Sequence, residues 1–276
     1  MGIKFTKMHG LGNDFMVIDG VNQHIDLHKE QIIRLSNRYT GVGFDQCLLI
    51  EPSCSAEVDF SYRIFNADGR EVGQCGNGAR CLALFAQRYG LTKQKTITVA
   101  TKTTTMRLTI NNNESVRVNM GTPKLNPKEL PFNMGQQQTR YELPLKNGRT
   151  VSLHAISVGN PHAVLLVDDI NQARVQELGE EITAHAYFPE QTNVGFMQIL
   201  NQEHIKLRVY ERGCGETNAC GSGAVAAAAI GKLYYGLAES IKVSLLGGDL
   251  IIDWTDRNSA IYLTGPACFV YEGELV

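Results

Sequence analysis

The feature of this 276-residue chain that most limits its fold is an internal repeat centred on two cysteines. Cys75 begins the segment Cys-Gly-Asn-Gly-Ala, and Cys220, 145 positions later, begins Cys-Gly-Ser-Gly-Ala. An alanine-rich apolar run follows each segment and predicts a helix that begins directly after the cysteine. Each thiol is therefore expected at a helix N-terminus, where unpaired N–H groups and the helix dipole favour negative charge and lower a cysteine pKa.

The repeat extends upstream of both cysteines. A strand pattern of alternating apolar residues ends at Asn66 in the first half and at Glu211 in the second, nine positions before each cysteine. Further upstream, Gly-Asn at 12–13 matches Gly-Asn at 159–160 at an offset of 147. Gln46 matches Asn193 at the same offset. The chain therefore predicts two domains built on one plan, for which its length is sufficient.

We predict an α+β fold of two pseudo-symmetric domains, each a mixed β-sheet curled around a central apolar helix. The runs 79–85 and 224–230 are apolar nearly all round, which is typical of a helix enclosed by its own sheet. Helices are predicted near 27–39, 77–89, 169–178 and 221–235. Strands are predicted near 3–8, 15–19, 46–51, 57–65, 96–101, 104–110, 115–120, 151–158, 162–167, 193–200, 204–211, 240–246, 249–254 and 260–263.

Composition limits the partners and the compartment. A net charge of −2 gives no reason to expect nucleic acid, and the longest apolar run is too short to cross a membrane. The seven cysteines are an odd number, and the N-terminus lacks a secretory apolar segment. We therefore expect a cytoplasmic protein with reduced thiols and a small-molecule substrate. Four further cysteines, Cys47, Cys54, Cys81 and Cys268, are expected to be small buried apolar residues.

Three other functions of the cysteine segments fit the sequence less well. A zinc site would need closer ligands than the six-residue spacings of Cys75 with Cys81 and of Cys214 with Cys220. A dithiol oxidoreductase would normally carry Cys-x-x-Cys, which the chain lacks. The glycine turns could hold phosphate, but no Lys-Ser/Thr follows them, and the same N–H groups suit a carboxylate. Two matched thiols favour an acid and a base on opposite faces of one small anionic substrate.

Polar residues gather where the repeat predicts a cleft between the halves. The symmetry breaks at His162 and Glu211, whose counterparts are Phe15 and Asn66, so these two ionisable groups are candidates for tuning the thiol pKa values. The candidate substrate-binding residues are Asn13, Gln46, Asn66, Asn160, Asn193, Glu211 and Arg212.

Several motifs together resemble the diaminopimelate epimerase family over essentially the whole chain. They are His-Gly-Leu-Gly-Asn-Asp-Phe at 9–15, Cys-Gly-Asn-Gly-Ala-Arg-Cys at 75–81, Gly-Asn-Pro-His at 159–162, Glu-Arg-Gly-Cys-Gly-Glu-Thr at 211–217 and Ala-Cys-Gly-Ser-Gly at 219–223. The resemblance implies a cofactor-free isomerase that interconverts LL- and meso-diaminopimelate on the bacterial lysine pathway, with Cys75 and Cys220 as its acid/base pair. It also implies two α+β domains, and we expect a homodimer with no metal.

The same resemblance implies roles for further residues. Backbone N–H groups of Gly76, Asn77, Gly221 and Ser222 would bind the reacting carboxylate. The last strand, Phe269–Leu275, would return to the first domain. The predicted domains are then 1–120 with 266–276, and 121–265, with the active site in the cleft between them.

Inversion of a carbon centre explains why two thiols are needed. One group removes a proton from one face while the other delivers a proton to the opposite face. Negative charge then builds on the carboxylate, where two helix N-termini would stabilise it. The alternatives left open are a proline or hydroxyproline racemase, a non-catalytic amino-acid-binding protein on the same fold, and an isomerase that uses carboxylates instead of thiols.

Overall fold

The chain divides into two units. The computed structural model describes residues 2–53, 55–73, 75–146 and 148–276. One unit comprises Met1–Asn119 together with Thr264–Val276, and the other comprises Met120–Leu263. Both units combine β-strands with helices, as the predicted α+β class requires.

The first unit is a mixed sheet. Its elements up to Asn119 are β1 (Lys4–Gly10), β2 (Asn13–Asp19), α1 (Lys29–Ser36), β3 (Gln46–Pro52), β4 (Phe60–Asn66), β5 (Glu71–Val72), α2 (Gly76–Arg88), β6 (Thr96–Ala100), β7 (Thr105–Ile110) and β8 (Ser115–Asn119). The pairs β1–β2 and β3–β4 are antiparallel, whereas β2–β3 and β4–β6 are parallel.

The second unit repeats this arrangement. Its elements are β9 (Tyr141–Pro144), β10 (Thr150–Ser157), β11 (Pro161–Leu166), α3 (Val175–Thr183), β12 (Asn193–Asn201), β13 (His204–Glu211), β14 (Gly215–Thr217), α4 (Gly221–Tyr235), β15 (Ser240–Leu245), β16 (Gly248–Asp253) and β17 (Tyr262–Pro266). The last of these strands begins in the second unit and ends in the first. The pairs β10–β11 and β12–β13 are antiparallel, whereas β11–β12 and β13–β15 are parallel.

The strand register follows the sequence repeat. Phe15 pairs with Gln46 between β2 and β3, and His162 pairs with Asn193 between β11 and β12. Both members of the second pair lie 147 positions after their counterparts. The matching residues of the two halves therefore occupy matching places in their sheets, and the predicted pseudo-symmetry is confirmed.

A buried helix lies at the centre of each unit, as predicted. Residues 77–86 of α2 are buried, and the helix packs on β1, β2, β3, β7 and β8. Residues 223–231 of α4 are buried, and that helix packs on β10, β11, β12, β13, β15 and β16. Gly90 and Gly236 follow the two helices with left-handed backbones (φ of 70° and 71°), which stops each helix at the predicted place.

The C-terminal strand returns to the first unit. This strand, β18 (Cys268–Glu274), pairs antiparallel with β1, so that Lys4 lies opposite Glu274 and His9 opposite Cys268. The segment Phe269–Leu275, expected to return to the first domain, overlaps this strand.

One helix was predicted wrongly. The segment 169–178 is a short 3₁₀ turn, Ile170–Gln172, followed by a break, and α3 begins only at Val175. The cause is local: the Asp169 carboxylate accepts hydrogen bonds from the backbone and side chain of Asn171 and from the side chain of Gln172. These bonds close a single turn and compete with continuation of the helix.

Cysteine burial was also only partly predicted. Cys47 and Cys81 are buried, as expected, and burial raises the pKa of the Cys47 thiol to about 12. Cys268 is exposed, because most side chains of β18 face solvent. Cys54 lies outside the described residues. Within the described part of the chain, no helix combines the length and the apolar character needed to cross a membrane.

Candidate active site

Cys75 is the N-cap of α2. Its backbone is extended (φ −149°, ψ 111°), and its sulfur accepts a hydrogen bond from the Gly78 amide at 3.4 Å. Glycine is required at position 78 because a Cβ atom there would lie 2.3 Å from the Tyr62 hydroxyl. The helix therefore starts where the close packing of Tyr62 allows it, and its Gly78 amide is directed at the thiol.

Two asparagines flank this thiol. Asn13, at the start of β2, has its Oδ1 atom 3.9 Å from Cys75 Sγ, and the same oxygen accepts a hydrogen bond from Asn77 Nδ2 at 3.2 Å. The other end of the Asn13 amide donates to Asp45 Oδ2 at 2.8 Å. Asp45 thereby fixes which end of the amide faces the cysteine.

A charged network supports Asn13 from behind, and sequence reasoning missed it. Arg38 bridges Asp14 and Asp45, and Lys7 pairs with Asp14 at 2.7 Å. Burial raises the pKa of the Asp14 carboxyl, but hydrogen bonds from Arg38 and Lys7 outweigh burial and lower it to about 2. Asp14 belongs to the 9–15 motif, yet Arg38 and Asp45 carry no sequence signal that connects them with it.

We expect the free energy of unfolding of Asp14→Asn to fall less than that of wild type when the solution is acidified from about pH 5 to about pH 2. The carboxylate stabilises the folded state above its ordinary pKa of 3.8, and this stabilisation disappears as the pH falls through about 2. Its size is on the order of 1 kcal/mol, because solvent screens the half-exposed Arg38. Urea unfolding of wild type and variant should therefore differ at about pH 5 and converge near pH 2. A difference that stays constant over this range would contradict the assignment.

Gln46 and Asn66 form a second polar pair in the first unit. They are register partners across β3 and β4, and Gln46 Nε2 donates to Asn66 Oδ1 at 2.9 Å. The backbone of Asp45 connects this pair with Asn13, since Asp45 precedes Gln46 and its carbonyl accepts from the Ala67 amide. The structure thus brings together the predicted residues of the first half in one connected polar region.

Cys220 is the N-cap of α4 and is only 4% exposed. Its sulfur lies 3.6 Å from the Ser222 hydroxyl oxygen, and Gly221 is the first residue of the helix. Burial raises the pKa of the Cys220 thiol well above its usual value, and the neighbouring Glu211 raises it further. Glu211 is itself held by Thr217, whose hydroxyl donates to Oε1 at 2.5 Å.

His162 is buried and neutral. Its Nε2 atom lies 3.1 Å from Asn160 Oδ1, and Asn160 Nδ2 donates to Ser222 Oγ at 3.5 Å. Burial, together with the positive charge of Arg212, lowers the pKa of His162 to about 3. Any effect of His162 on Cys220 must therefore be transmitted by a neutral imidazole through Asn160 and Ser222, since the ring carries no charge near neutral pH.

Arg212 is exposed and directly follows Glu211, the last residue of β13. Its backbone N–H donates to Asn193 Oδ1 at 3.0 Å, and its Nη1 donates to the Glu190 carbonyl at 2.8 Å. Among the described residues, no carboxylate forms an ion pair with it. The guanidinium is therefore available to bind an anionic group.

Comparison with known proteins assigns the family. The sequence profile described as diaminopimelate epimerase matches residues 5–126 and 154–270. A diaminopimelate epimerase of Legionella pneumophila strain Philadelphia 1 is 66% identical over 276 residues, which is the full length of both chains. The chain belongs to the diaminopimelate epimerase family. It is therefore an isomerase, and the recognition made from its motifs is confirmed.

Solved structures confirm the fold of this epimerase family member. A PhzF-family phenazine biosynthesis protein of Bacillus anthracis superposes with a TM-score of 0.69 at 16% identity, covering 100% of this chain and 99% of the other. A probable proline racemase of Agrobacterium radiobacter superposes with a TM-score of 0.70 at 17% identity, covering 99% and 93%. At such identities only the fold is shared, so the racemase alternative gains no support beyond architecture.

We expect Arg212→Lys to impair this epimerase although the charge is kept. An arginine fork binds a carboxylate through two parallel hydrogen bonds, and a lysine cannot. The kcat/KM for diaminopimelate should fall at least about tenfold, mainly through KM. Arg174→Lys is the matched control, because Arg174 is engaged with Glu177 on the same unit. Unchanged kinetics in Arg212→Lys would remove Arg212 from the substrate site.

Proposed function

We propose that this enzyme interconverts LL-2,6-diaminopimelate and meso-diaminopimelate, with Cys75 and Cys220 as acid and base on opposite faces of one α-carbon. The observation that carries the proposal is that each cysteine is the N-cap of a central helix at the same place in a repeated sheet. The reaction belongs to the bacterial lysine pathway and supplies the meso isomer for peptidoglycan precursors.

In this mechanism one cysteine is a thiolate and the other a thiol. The thiolate takes the α-proton from one face, and the electron pair of the broken C–H bond passes to the carboxylate. The thiol then gives its proton to the opposite face, which inverts the carbon. The two cysteines have exchanged protonation states, so turnover of the product isomer restores the first arrangement.

The helix N-termini would stabilise the charge that develops. Amides of Gly76 and Asn77 in α2, and of Gly221 and Ser222 in α4, belong to the first helical turns, whose N–H groups lack intrahelical acceptors. Directed at the reacting carboxylate, they would bind the dianionic intermediate more strongly than the substrate. The thiols and these amides suffice for the proposed chemistry without a cofactor.

The remaining polar groups would bind the distal amino-acid centre. Arg212 offers a guanidinium for its carboxylate, and Glu211 offers a carboxylate for its ammonium. Amide groups of the residues Asn13, Gln46, Asn66, Asn160 and Asn193 would complete the site. A substrate with two amino-acid centres uses these groups, whereas proline would leave most of them unpaired.

The deciding experiment is incubation of LL-diaminopimelate with pure enzyme in D₂O. We expect meso-diaminopimelate that carries one deuterium, at the inverted α-carbon, because the incoming proton comes from a cysteine that has exchanged with solvent. L-proline and trans-4-hydroxy-L-proline under the same conditions should remain unlabelled. Absence of label from the diaminopimelate product would contradict the two-cysteine mechanism.

We also propose that the enzyme is a cytoplasmic homodimer. The described cysteines are all thiols, which suits a reducing compartment. Val270 and Tyr271 on β18 are 56% and 46% exposed, and apolar side chains on a sheet strand favour contact with a second chain. Light scattering of the purified protein should give twice the monomer mass of 30.4 kDa.

A further inference from the structure

Arg80 is a buried cation close to the start of α2. Its side chain is 0% exposed and is among the largest that the protein fully buries. Nε donates to the Pro266 carbonyl at 3.0 Å, and Nη1 approaches the Gly76 carbonyl at 3.5 Å. Nη2 has no hydrogen-bond partner, and no carboxylate among the described residues forms an ion pair with this guanidinium.

Such a charge is unfavourable without an anion. Arginine stays protonated in proteins, and burying an unpaired charge costs far more than two carbonyl contacts return. Burial lowers the pKa of Arg80, which is the signature of a cation without sufficient compensation. The buried Cys81 thiol beside it does not supply the anion, because burial raises the pKa of that thiol far above neutrality.

The guanidinium lies beside the elements that hold Cys75. A Cβ atom on Gly10 would be 3.1 Å from Arg80 Nη2 and 3.4 Å from Asn77 Cβ. Gly10 is the register partner of Asn13, the residue that contacts Cys75 Sγ. Arg80 Nη1 meanwhile reaches the carbonyl of Gly76, the residue after the cysteine. The positive charge is therefore fixed beside the first turn of α2, close enough to Cys75 for the two groups to interact electrostatically.

The other ionisable groups around this helix start do not neutralise Arg80. Tyr62, which packs against Gly78 from β4, is buried, and burial raises its pKa so that it stays neutral. Asp14 and Asp45 are engaged with Lys7 and Arg38. On β1, the His9 ring accepts a hydrogen bond from the Gly12 amide, and on β18 Cys268 is exposed.

The two halves of the repeat differ in the charged residues near their helix starts. The counterpart of Arg80 in the second unit is Val225, and the counterpart of Glu211 in the first unit is Asn66, both at an offset of 145. One helix start therefore has a buried cation, Arg80, whereas the other has a neighbouring acid, Glu211, and only the exposed cation of Arg212. The ionisable groups that break the repeat at the two helix starts are thus of opposite charge.

We propose that Arg80 is the counter-ion of the Cys75 thiolate, a positioning residue that keeps Cys75 ionised while Glu211 keeps Cys220 protonated. This inference rests on the proposed function, because it assigns the resting protonation states of the acid/base pair. Ionised Cys75 supplies the anion that the buried guanidinium otherwise lacks. The α2 dipole and the Gly78 amide act on the thiolate in the same direction.

The test is the thiol pKa of each cysteine, measured in the intact enzyme by iodoacetamide alkylation against pH with peptide-resolved mass spectrometry. In wild type, Cys75 should titrate below the ordinary value of about 8.5 and Cys220 above it. Arg80→Met, which keeps the length of the side chain, should raise the Cys75 pKa by about one unit or more and slow its alkylation at pH 7 about tenfold. Arg80→Lys keeps the positive charge, so the Cys75 pKa in this variant should lie close to the wild-type value.

Matched variants locate the effect. Val225→Met places the same side chain at the equivalent point of α4 and should leave the Cys75 pKa unchanged. Glu211→Gln should lower the Cys220 pKa without moving that of Cys75. An Arg80→Met protein with normal thermal unfolding and an unchanged Cys75 pKa would overturn the proposal, since Arg80 would then only tie α2 to the Pro266 carbonyl.

If Arg80→Met does not fold, the Cys75 pKa measured in wild type and in Arg80→Lys still tests the proposal. A wild-type Cys75 pKa at or above about 8.5 overturns the proposal, and a low pKa kept in Arg80→Lys supports it. These readouts need no turnover, so they are independent of the D₂O experiment. If both thiols show the predicted pKa values but diaminopimelate takes up no deuterium, the proposed function is rejected. If deuterium is incorporated but the Cys75 pKa does not depend on Arg80, only this inference is rejected.

Discussion

Cys75→Ala and Cys220→Ala should each lose diaminopimelate epimerisation, with kcat reduced by at least about 10³-fold, while the protein remains folded. Each face of the α-carbon needs its own proton-transfer group, so removal of either thiol stops proton transfer at one face. The measurement is circular dichroism at a single wavelength, or a coupled assay, from either isomer. Near-wild-type turnover by either variant would contradict the two-cysteine mechanism.

Cys81→Ala is the matched control for this loss. Cys81 lies on the same helix as Cys75, but it is fully buried in the wall of α2. Its removal should cost about 1 kcal/mol of stability through a small cavity and leave kcat within a few-fold of wild type. A large loss of kcat in this variant would mean that α2 is too sensitive to packing for the first comparison to identify a proton carrier.

Half-reactions separate the roles of the two thiols. A variant with one cysteine cannot invert the carbon, but its remaining thiolate can still exchange the α-proton on its own face with solvent deuterium. If Cys75 is the ionised group, Cys220→Ala should retain slow deuterium exchange into one isomer. Cys75→Ala should exchange more slowly at neutral pH, because burial and Glu211 hold the Cys220 thiol protonated.

The repeated elements could be predicted from sequence because their signals are local and occur twice. The strand before each cysteine alternates apolar and polar side chains and ends at the predicted residue, Asn66 or Glu211. The strands β5 and β14 were missed because two or three residues are too few to show a period. The break before α3 was missed because a capping carboxylate, Asp169, decided between one turn and a helix.

The supporting charges of the site could not be predicted in the same way. Arg38 and Asp45 reach Asp14 and Asn13 only through tertiary contacts across 24 to 32 residues. Arg80 occupies a helix position that its neighbours mark as core, where arginine is rarely found. Sequence therefore identified the candidate substrate-binding groups, whereas the charged groups that support them could be identified only from the fold.

Gly78→Ala should be the most damaging single methyl added to the site. The new Cβ would lie 2.3 Å from the Tyr62 hydroxyl oxygen and 3.2 Å from two Leu48 methyl carbons, all fixed in the core. The start of α2 must move, and the Gly78 amide that donates to Cys75 Sγ moves with it. We expect a stability loss of about 1–3 kcal/mol and a kcat about 10²-fold lower, because the thiol leaves its reactive position.

The second unit offers the compensating change for this variant. Position 207, the counterpart of Tyr62, is leucine, and Tyr62 Oη has no hydrogen-bond partner to lose. Tyr62→Leu should therefore cost little polar energy and make room for the alanine methyl. In a double-mutant cycle followed by urea unfolding and kcat, Gly78→Ala/Tyr62→Leu should be more stable and more active than the sum of the single changes predicts. Strict additivity would mean that the Tyr62 hydroxyl is not what requires glycine at the start of α2, and that the position of Cys75 is set by the helix alone.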